Sequence, residues 1–335
     1  MKAVVMAVRV SRMLTAVVAV MAIGASATAC STAEPDNSAA QSADGVFPVV
    51  IDHIYGSTTV PEKPTRIVTL GVSDADAVIA LGTVPVGNTG YTFYETGLGP
   101  WTDELVGDAP LTLLGSESEP NFELIASLQP DLITGLNAGF DEATYAQLSD
   151  IAPTVARPAG SAAYAVDREV ATDTIARAMG ESDRGKELNA QTTAALEQVR
   201  AAHPEFAGKT AAVVLPYDGQ FGAYLPGDAR GTFVTSLDFG IPDPILAEDN
   251  GTNFFVPVSA ENISKLDADV LLYLGTGDDI DVVAENPIFG TLTAARNDAI
   301  VPLSTDQRGA ITYNSVLSIP FAIDSVVPRL AGAVG

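Results

Sequence analysis

The 335-residue sequence holds one cysteine, two histidines and one tryptophan, and that scarcity removes several kinds of chemistry at once. A lone cysteine, Cys30, cannot close an intramolecular disulfide. With only His53 and His203 beside it, the convergent His and Cys sets that grip bare zinc or manganese are missing, and both histidines read as surface residues. No glycine-rich phosphate loop, nucleophile elbow or two-histidine metal motif occurs. A Ser/His/Asp arrangement would depend on one of those two histidines, so the reading is that this is not an enzyme. Cations are scarce too: 17 Lys and Arg face 42 Asp and Glu, for a net charge of -25. So acidic a surface repels nucleic acid and anionic headgroups, which excludes nucleic acid as a partner. Long apolar runs are also missing. The best of them, residues 13 to 23, falls short of the ~20 residues that a transmembrane helix needs.

Lys2, Arg9 and Arg12 precede that run without an acid among them, and small residues follow it, which is the layout of a secretory signal over residues 1 to 29. Ala27-Thr28-Ala29-Cys30 resembles the lipobox of bacterial lipoproteins, with Ala27 where Leu is usual. The resemblance implies cleavage before Cys30, acylation of its thiol, and a lipid anchor at the outer face of the cytoplasmic membrane. An ordinary signal peptidase site at the same place is the plain alternative. Loss of the three signal cations takes the net charge from -25 to -28. Residues 30 to 45, rich in Ser, Ala, Asp and Gln, bury too little to fold and form a flexible tether. The rest of the chain is long enough for a sizeable core.

Beyond the tether, short β-type runs alternate with helical patterns, which argues for α/β lobes. Thr65-Arg66-Ile67-Val68-Thr69-Leu70 predicts a strand, and residues 74 to 81 a helix that Gly82 stops. Val84-Pro85-Val86-Gly87 predicts a second short strand, residues 122 to 128 a helix ended at Pro130, and Asp131-Leu132-Ile133-Thr134 a buried strand. Ile151-Ala152-Pro153-Thr154-Val155 closes a first lobe over residues 46 to 166. Residues 167 to 204 read as a connecting helix, with Ile175, Ala178 and Met179 on one face and an interruption at residues 180 to 183. A second α/β lobe occupies residues 205 to 335, with strands at 210 to 215, 268 to 274 and 299 to 303 and helices near 231 to 237 and 319 to 330. The expected fold class is therefore α/β, two Rossmann-like lobes joined by one long rigid helix.

Five stretches carry a further resemblance: Pro64-Thr65-Arg66-Ile67-Val68; Ala80-Leu81-Gly82 with Val84-Pro85-Val86-Gly87; Asn121-Phe122-Glu123-Leu124-Ile125-Ala126-Ser127-Leu128-Gln129-Pro130-Asp131-Leu132-Ile133; Leu266-Asp267-Ala268-Asp269-Val270; and Asn286-Pro287-Ile288-Phe289. In that order they resemble class III solute-binding proteins of ABC importers, in the branch that captures ferric siderophores and, in relatives, haem or cobalamin. The resemblance runs from about residue 60 to residue 330. It implies two lobes that close only slightly, a ferric siderophore or ferric citrate as ligand, and chelated Fe3+ as cargo with no intrinsic cofactor. It also implies an ABC importer permease as partner and a monomer. Family members present one glutamate per lobe to the permease, and the matching positions are Glu123 and Glu261; near a helix N-terminus a carboxylate also suits the dipole and capping. The alternative is a cell-envelope binding protein of the same fold that takes haem, cobalamin or a wall component without a transport role.

In α/β lobes ligands bind beyond the carboxyl ends of the strands. The loop after the second strand carries Tyr91, Phe93 and Tyr94, then Trp101, aromatics without core periodicity. The second lobe offers Tyr217, Phe221, Tyr224 and Arg230, then Arg308 and Tyr313 after its last strand. Arginine presents a fixed fork of donors to hard oxygen anions and stays charged at any relevant pH. In a chain so poor in cations, one in a strand-following loop weighs more than usual. Packing of each ring on its own lobe, and surface ion pairs for each arginine, are the plain alternatives.

Overall fold

The computed structural model describes residues 45–91, 94–116, 118–275 and 280–335; Cys30 and Phe93 lie outside them. A hairpin of β1 (Val49–His53) and β2 (Gly56–Val60) leads into the first lobe. Its sheet contains β3 (Ile67–Thr69), β4 (Gly87–Asn88), β5 (Thr112–Leu113), β6 (Leu132–Gly135) and β7 (Thr154–Ala156). The spatial order is β5-β4-β3-β6-β7 and every pairing is parallel. Ile67, Val68, Leu132 and Ile133 are fully buried, as strands covered on both faces require. The helices α1 (Asp74–Ala80), α2 (Asp103–Val106), α3 (Phe122–Ser127) and α4 (Glu142–Ser149) make the crossovers. Strand order reverses between β3 and β6, so the crevice beyond their carboxyl ends is where a ligand site belongs.

The stretch from 167 to 204 is not one helix. α5 (Arg168–Met179) ends at Gly180, which adopts φ 71°, and α6 (Ser182–Ala202) starts in a new direction. A Cβ at Gly180 would lie 2.7 Å from the Phe47 ring, so the left-handed turn and the packing behind it both demand glycine. α5 belongs to the first lobe, where Ala171, Ile175, Ala178 and Met179 join Val49, Ile51, Ile67 and Val78. α6 returns along α5, held there by Asn189, whose Nδ2 donates to the Glu169 carbonyl and the Asp173 carboxylate, and by Thr193, whose hydroxyl donates to Glu169. Its last turns then carry Leu196 and Val199 into the core of the second lobe. The 21 residues of α6 span about 31 Å.

The second sheet is built from β8 (Ala211–Tyr217), β9 (Gln220–Tyr224), β10 (Phe255–Val258), β11 (Val270–Tyr273) and β12 (Ile300–Pro302), in the order β10-β9-β8-β11-β12. β8, β11 and β12 run parallel, while β9 is antiparallel to both of its neighbours. Its helices are α7 (Ala229–Ser236), α8 (Asp243–Leu246), α9 (Val282–Glu285), α10 (Thr293–Arg296), α11 (Thr305–Tyr313) and α12 (Ser318–Val334). Both lobes close the amino edge of the sheet in the same way. Asp131, one residue before β6, accepts from the backbone and hydroxyl of Thr65 at 2.8 and 2.9 Å; Asp269, one residue before β11, accepts from those of Thr210 at 2.8 and 3.0 Å.

Two expectations fail here for local reasons. His53 is not a surface residue: it is buried at the end of β1, with Nε2 2.9 Å from the Thr58 hydroxyl and its ring 5.0 Å from that of Tyr145. Residues 217 to 224 are not a ligand loop but the hairpin of β8 and β9, turned at Asp218-Gly219, both with positive φ. The register sends Phe221 into the core, edge-on to Phe289 at 4.9 Å, and removes it from the candidate binding residues.

Candidate functional site between the lobes

The loop after β4 is folded upon a single carbonyl. Gly97 O accepts from Asn88 Nδ2 at 3.2 Å, from the Tyr91 N–H at 2.9 Å and from the Tyr313 hydroxyl of α11 at 3.1 Å. Gly90 makes this possible: at φ 60°, a Cβ there would lie 2.0 Å from the same oxygen. The loop thereby throws its rings across to the second lobe. Tyr91 meets Tyr313 edge-on at 4.9 Å, and Trp101 meets Tyr313 at 5.5 Å and Phe321 of α12 at 5.6 Å. Tyr94 packs on both Tyr91 and Trp101, and its hydroxyl donates to the Thr305 carbonyl at 3.4 Å. Tyr91, Tyr94, Trp101 and Tyr313, expected from the sequence, thus form one contiguous cluster that bridges the lobes.

The expected cations gather on the same side. Arg230 donates to both oxygens of Asp228 at 2.6 Å and lies 3.9 Å above the Tyr224 ring. Burial works against its charge, but the Asp228 pair overrides burial and strengthens its hold on the proton. Arg308 hydrogen-bonds Tyr91, whose hydroxyl also meets the side chain of Thr312. Burial pushes the phenols of Tyr91, Tyr94, Tyr224 and Tyr313 above their ordinary value, so they stand as neutral O–H groups rather than phenolates. Towards a ligand they offer ring faces, since the hydroxyls of Tyr94 and Tyr313 already donate to the Thr305 and Gly97 carbonyls.

Beneath the rings sits Asp76 of α1, fully buried. One carboxylate oxygen accepts from Trp101 Nε1 at 2.8 Å and from the Ser315 hydroxyl of the second lobe, while the other is buried without a partner among the described residues. Burial pushes its carboxyl up to about 6, against the pull of those two hydrogen bonds. Sequence reasoning missed Asp76, Ser315 and Phe321. Two acids in the first turn of a helix look like ordinary partners of its dipole, and nothing in the pattern distinguishes a buried one.

Glu123, at the second position of α3, and Glu261, in the 3-10 turn Ala260–Leu266, are both exposed, one on each lobe. Asn121 caps α3 by accepting from the Leu124 N–H at 3.0 Å. Among the described residues no cluster of three or more His, Cys, Asp or Glu could hold a bare metal ion, and no helix is long and apolar enough to cross a membrane.

Known proteins agree with this architecture. The model of a family described as periplasmic binding protein matches residues 67–306. The Fe(3+)-citrate-binding protein YfmC of Bacillus subtilis is 30% identical over 281 residues, covering 83% of this chain and 84% of that protein. A probable siderophore-binding lipoprotein of the same organism, YfiY, is 31% identical over 251 residues, covering 73% and 74%. Among solved structures, a periplasmic solute-binding protein of Mycobacterium smegmatis superposes with a TM-score of 0.76 at 32% identity, covering 86% of this chain and 99% of its own. Streptococcus pneumoniae PiaA in complex with ferrichrome gives 0.73 at 27% identity, covering 85% and 98%.

Proposed function

The chain belongs to the periplasmic binding protein family, and from that premise we propose that it is a receptor that captures a ferric siderophore or ferric citrate between its lobes for an ABC importer. The observation that carries the reading is the cluster of Tyr91, Tyr94, Trp101 and Tyr313 beside Arg230 and Arg308, where both lobes supply rings and the second lobe supplies the cations. Rings and neutral phenols cover the organic shell of a chelate, and guanidinium groups answer its anionic oxygens. A bare ion finds no such fit, so iron arrives already chelated. The role is binding and delivery, without catalysis.

The interlobe cavity measures about 190 Å³, against the ~300–1,000 Å³ typical of ligand pockets. A chelate therefore has to part the ring contacts, which makes the single tryptophan a reporter. The anchor is the acylated Cys30 on the outer face of the cytoplasmic membrane, and Glu123 and Glu261 dock on the permease. The wild-type protein, titrated with ferric citrate, ferric hydroxamates, ferric catecholates, haem and cobalamin, is expected to lose Trp101 emission with one class of ferric chelate at micromolar or tighter affinity. Silence with all ferric chelates refutes the reading. Glu123→Arg with Glu261→Arg should abolish iron uptake in cells and leave chelate affinity unchanged; undiminished uptake would remove the transport role and favour a binding protein of the cell envelope.

A further inference from the structure

The cavity between the lobes borders a cation that the ring cluster does not use. Arg168 opens α5, its side chain is 12% exposed, and its Nε–H is buried with no acceptor among the described residues. Its surroundings do little to keep it there. The first position of a helix is the unfavourable end for a cation, and its ion pair with Glu169, 3.6 Å from the terminal nitrogen, involves a half-exposed carboxylate. Several other polar groups of the wall are already engaged, the Asp167 carboxylate caps α5 beside Arg168, and the side chains of Thr172 and Asn314 make no hydrogen bond among the described residues. Asn137 donates to Ser73 and accepts from the Val166 N–H, while Thr232 and Thr312 donate to backbone carbonyls. Asp74 borders the same space, but its two oxygens accept from the Leu136 and Asn137 N–H groups at 2.9 and 3.3 Å. What the wall retains is a guanidinium with one unpartnered donor, and the Thr172 and Asn314 side chains near it.

Thr312 joins this cavity to the ring cluster: it lines the cavity, and its side chain hydrogen-bonds Tyr91. At about 190 Å³ the cavity is below the ~300–1,000 Å³ of pockets that take a whole ligand, and is on the scale of a carboxylate arm. We infer that the cargo is a polycarboxylate chelate of the citrate type, one of whose carboxylates passes Tyr91 and Thr312 to end on Arg168. Arg168 is then a specificity-determining residue. The inference rests on the ferric-chelate reading above and narrows its substrate class. A neutral ferric trihydroxamate has no arm to offer.

The test compares ferric citrate with a neutral ferric trihydroxamate by calorimetry, on the wild-type protein and on Arg168→Gln and Arg168→Lys. Wild type should prefer ferric citrate. Arg168→Gln should weaken ferric citrate by about tenfold or more, the loss of one charge-assisted hydrogen bond, change any trihydroxamate affinity less than about twofold, and be partly rescued by Arg168→Lys. Equal losses for both chelates, or none for ferric citrate, would overturn the inference and leave the receptor reading standing. If Arg168→Gln does not fold, the wild-type ratio decides, and a trihydroxamate bound as tightly as ferric citrate refutes the arm. Wild type that binds neither chelate, nor any other of the ferric panel, sinks both proposals.

Discussion

Asp76 sets up a stability change whose sign and window can be worked out in advance. Its folded carboxyl titrates near 6, against the 3.8 of an unperturbed aspartate. Between those values the folded chain holds a proton that the unfolded chain has released, so its contribution falls as pH rises and is lost above about 6. The full difference is about 3 kcal/mol, taking 1.36 kcal/mol for each pH unit between the two values. Asp76→Asn imitates the protonated acid at every pH and keeps an acceptor for Trp101 and Ser315. Burying its amide adds an offset that does not depend on pH. The stability of Asp76→Asn relative to wild type should therefore climb by about 2.4 kcal/mol from pH 4 to pH 7.5, because part of the difference is already lost at pH 4, or roughly 5–10 °C in melting temperature for a domain of this size. Thermal unfolding followed by circular dichroism, in acetate and phosphate buffers free of citrate, measures it. Two melting curves that move in parallel across that range would refute the argument, because the carboxylate would then be as well solvated inside as outside.

Two further expectations concern the loop and the anchor. Gly90→Ala drives a methyl group against the Gly97 carbonyl and forces a strained φ, so it should cost about 1–3 kcal/mol of stability; chemical denaturation checks this, and an unchanged midpoint would mean that the shared carbonyl is not a constraint. Cys30→Ala should move the protein from the membrane pellet to the soluble extracytoplasmic fraction almost completely, since the tether offers no other apolar anchor; retention in the pellet would refute lipidation.

Much of the fold could be read from strand-like runs, because parallel strands covered on both faces must be continuously apolar, as at Ile67-Val68 and Leu132-Ile133. β4 was harder to place: a two-residue strand at Gly87–Asn88 is set by its neighbours' register rather than by its own side chains. The hairpin at Asp218-Gly219 carried a recognisable turn signal, and heeding it would have taken Phe221 out of the binding set. The rings of the β4 loop stood out because they broke periodicity. Asp76 did not, since its burial comes from a loop and a helix far away in sequence, Trp101 and Ser315. Arg168 left a faint signal, a cation at the wrong end of a helix.

α6 is rooted in two cores, its first turns against α5 and its last around Leu196 and Val199. Neither lobe can then be excised, exchanged or circularly permuted as a free-standing module, because each cut leaves a half-helix with a bare apolar face. Recombination between relatives is best placed at the cleft loops. New specificities in such a scaffold arise by rewriting the lining and keeping the spine.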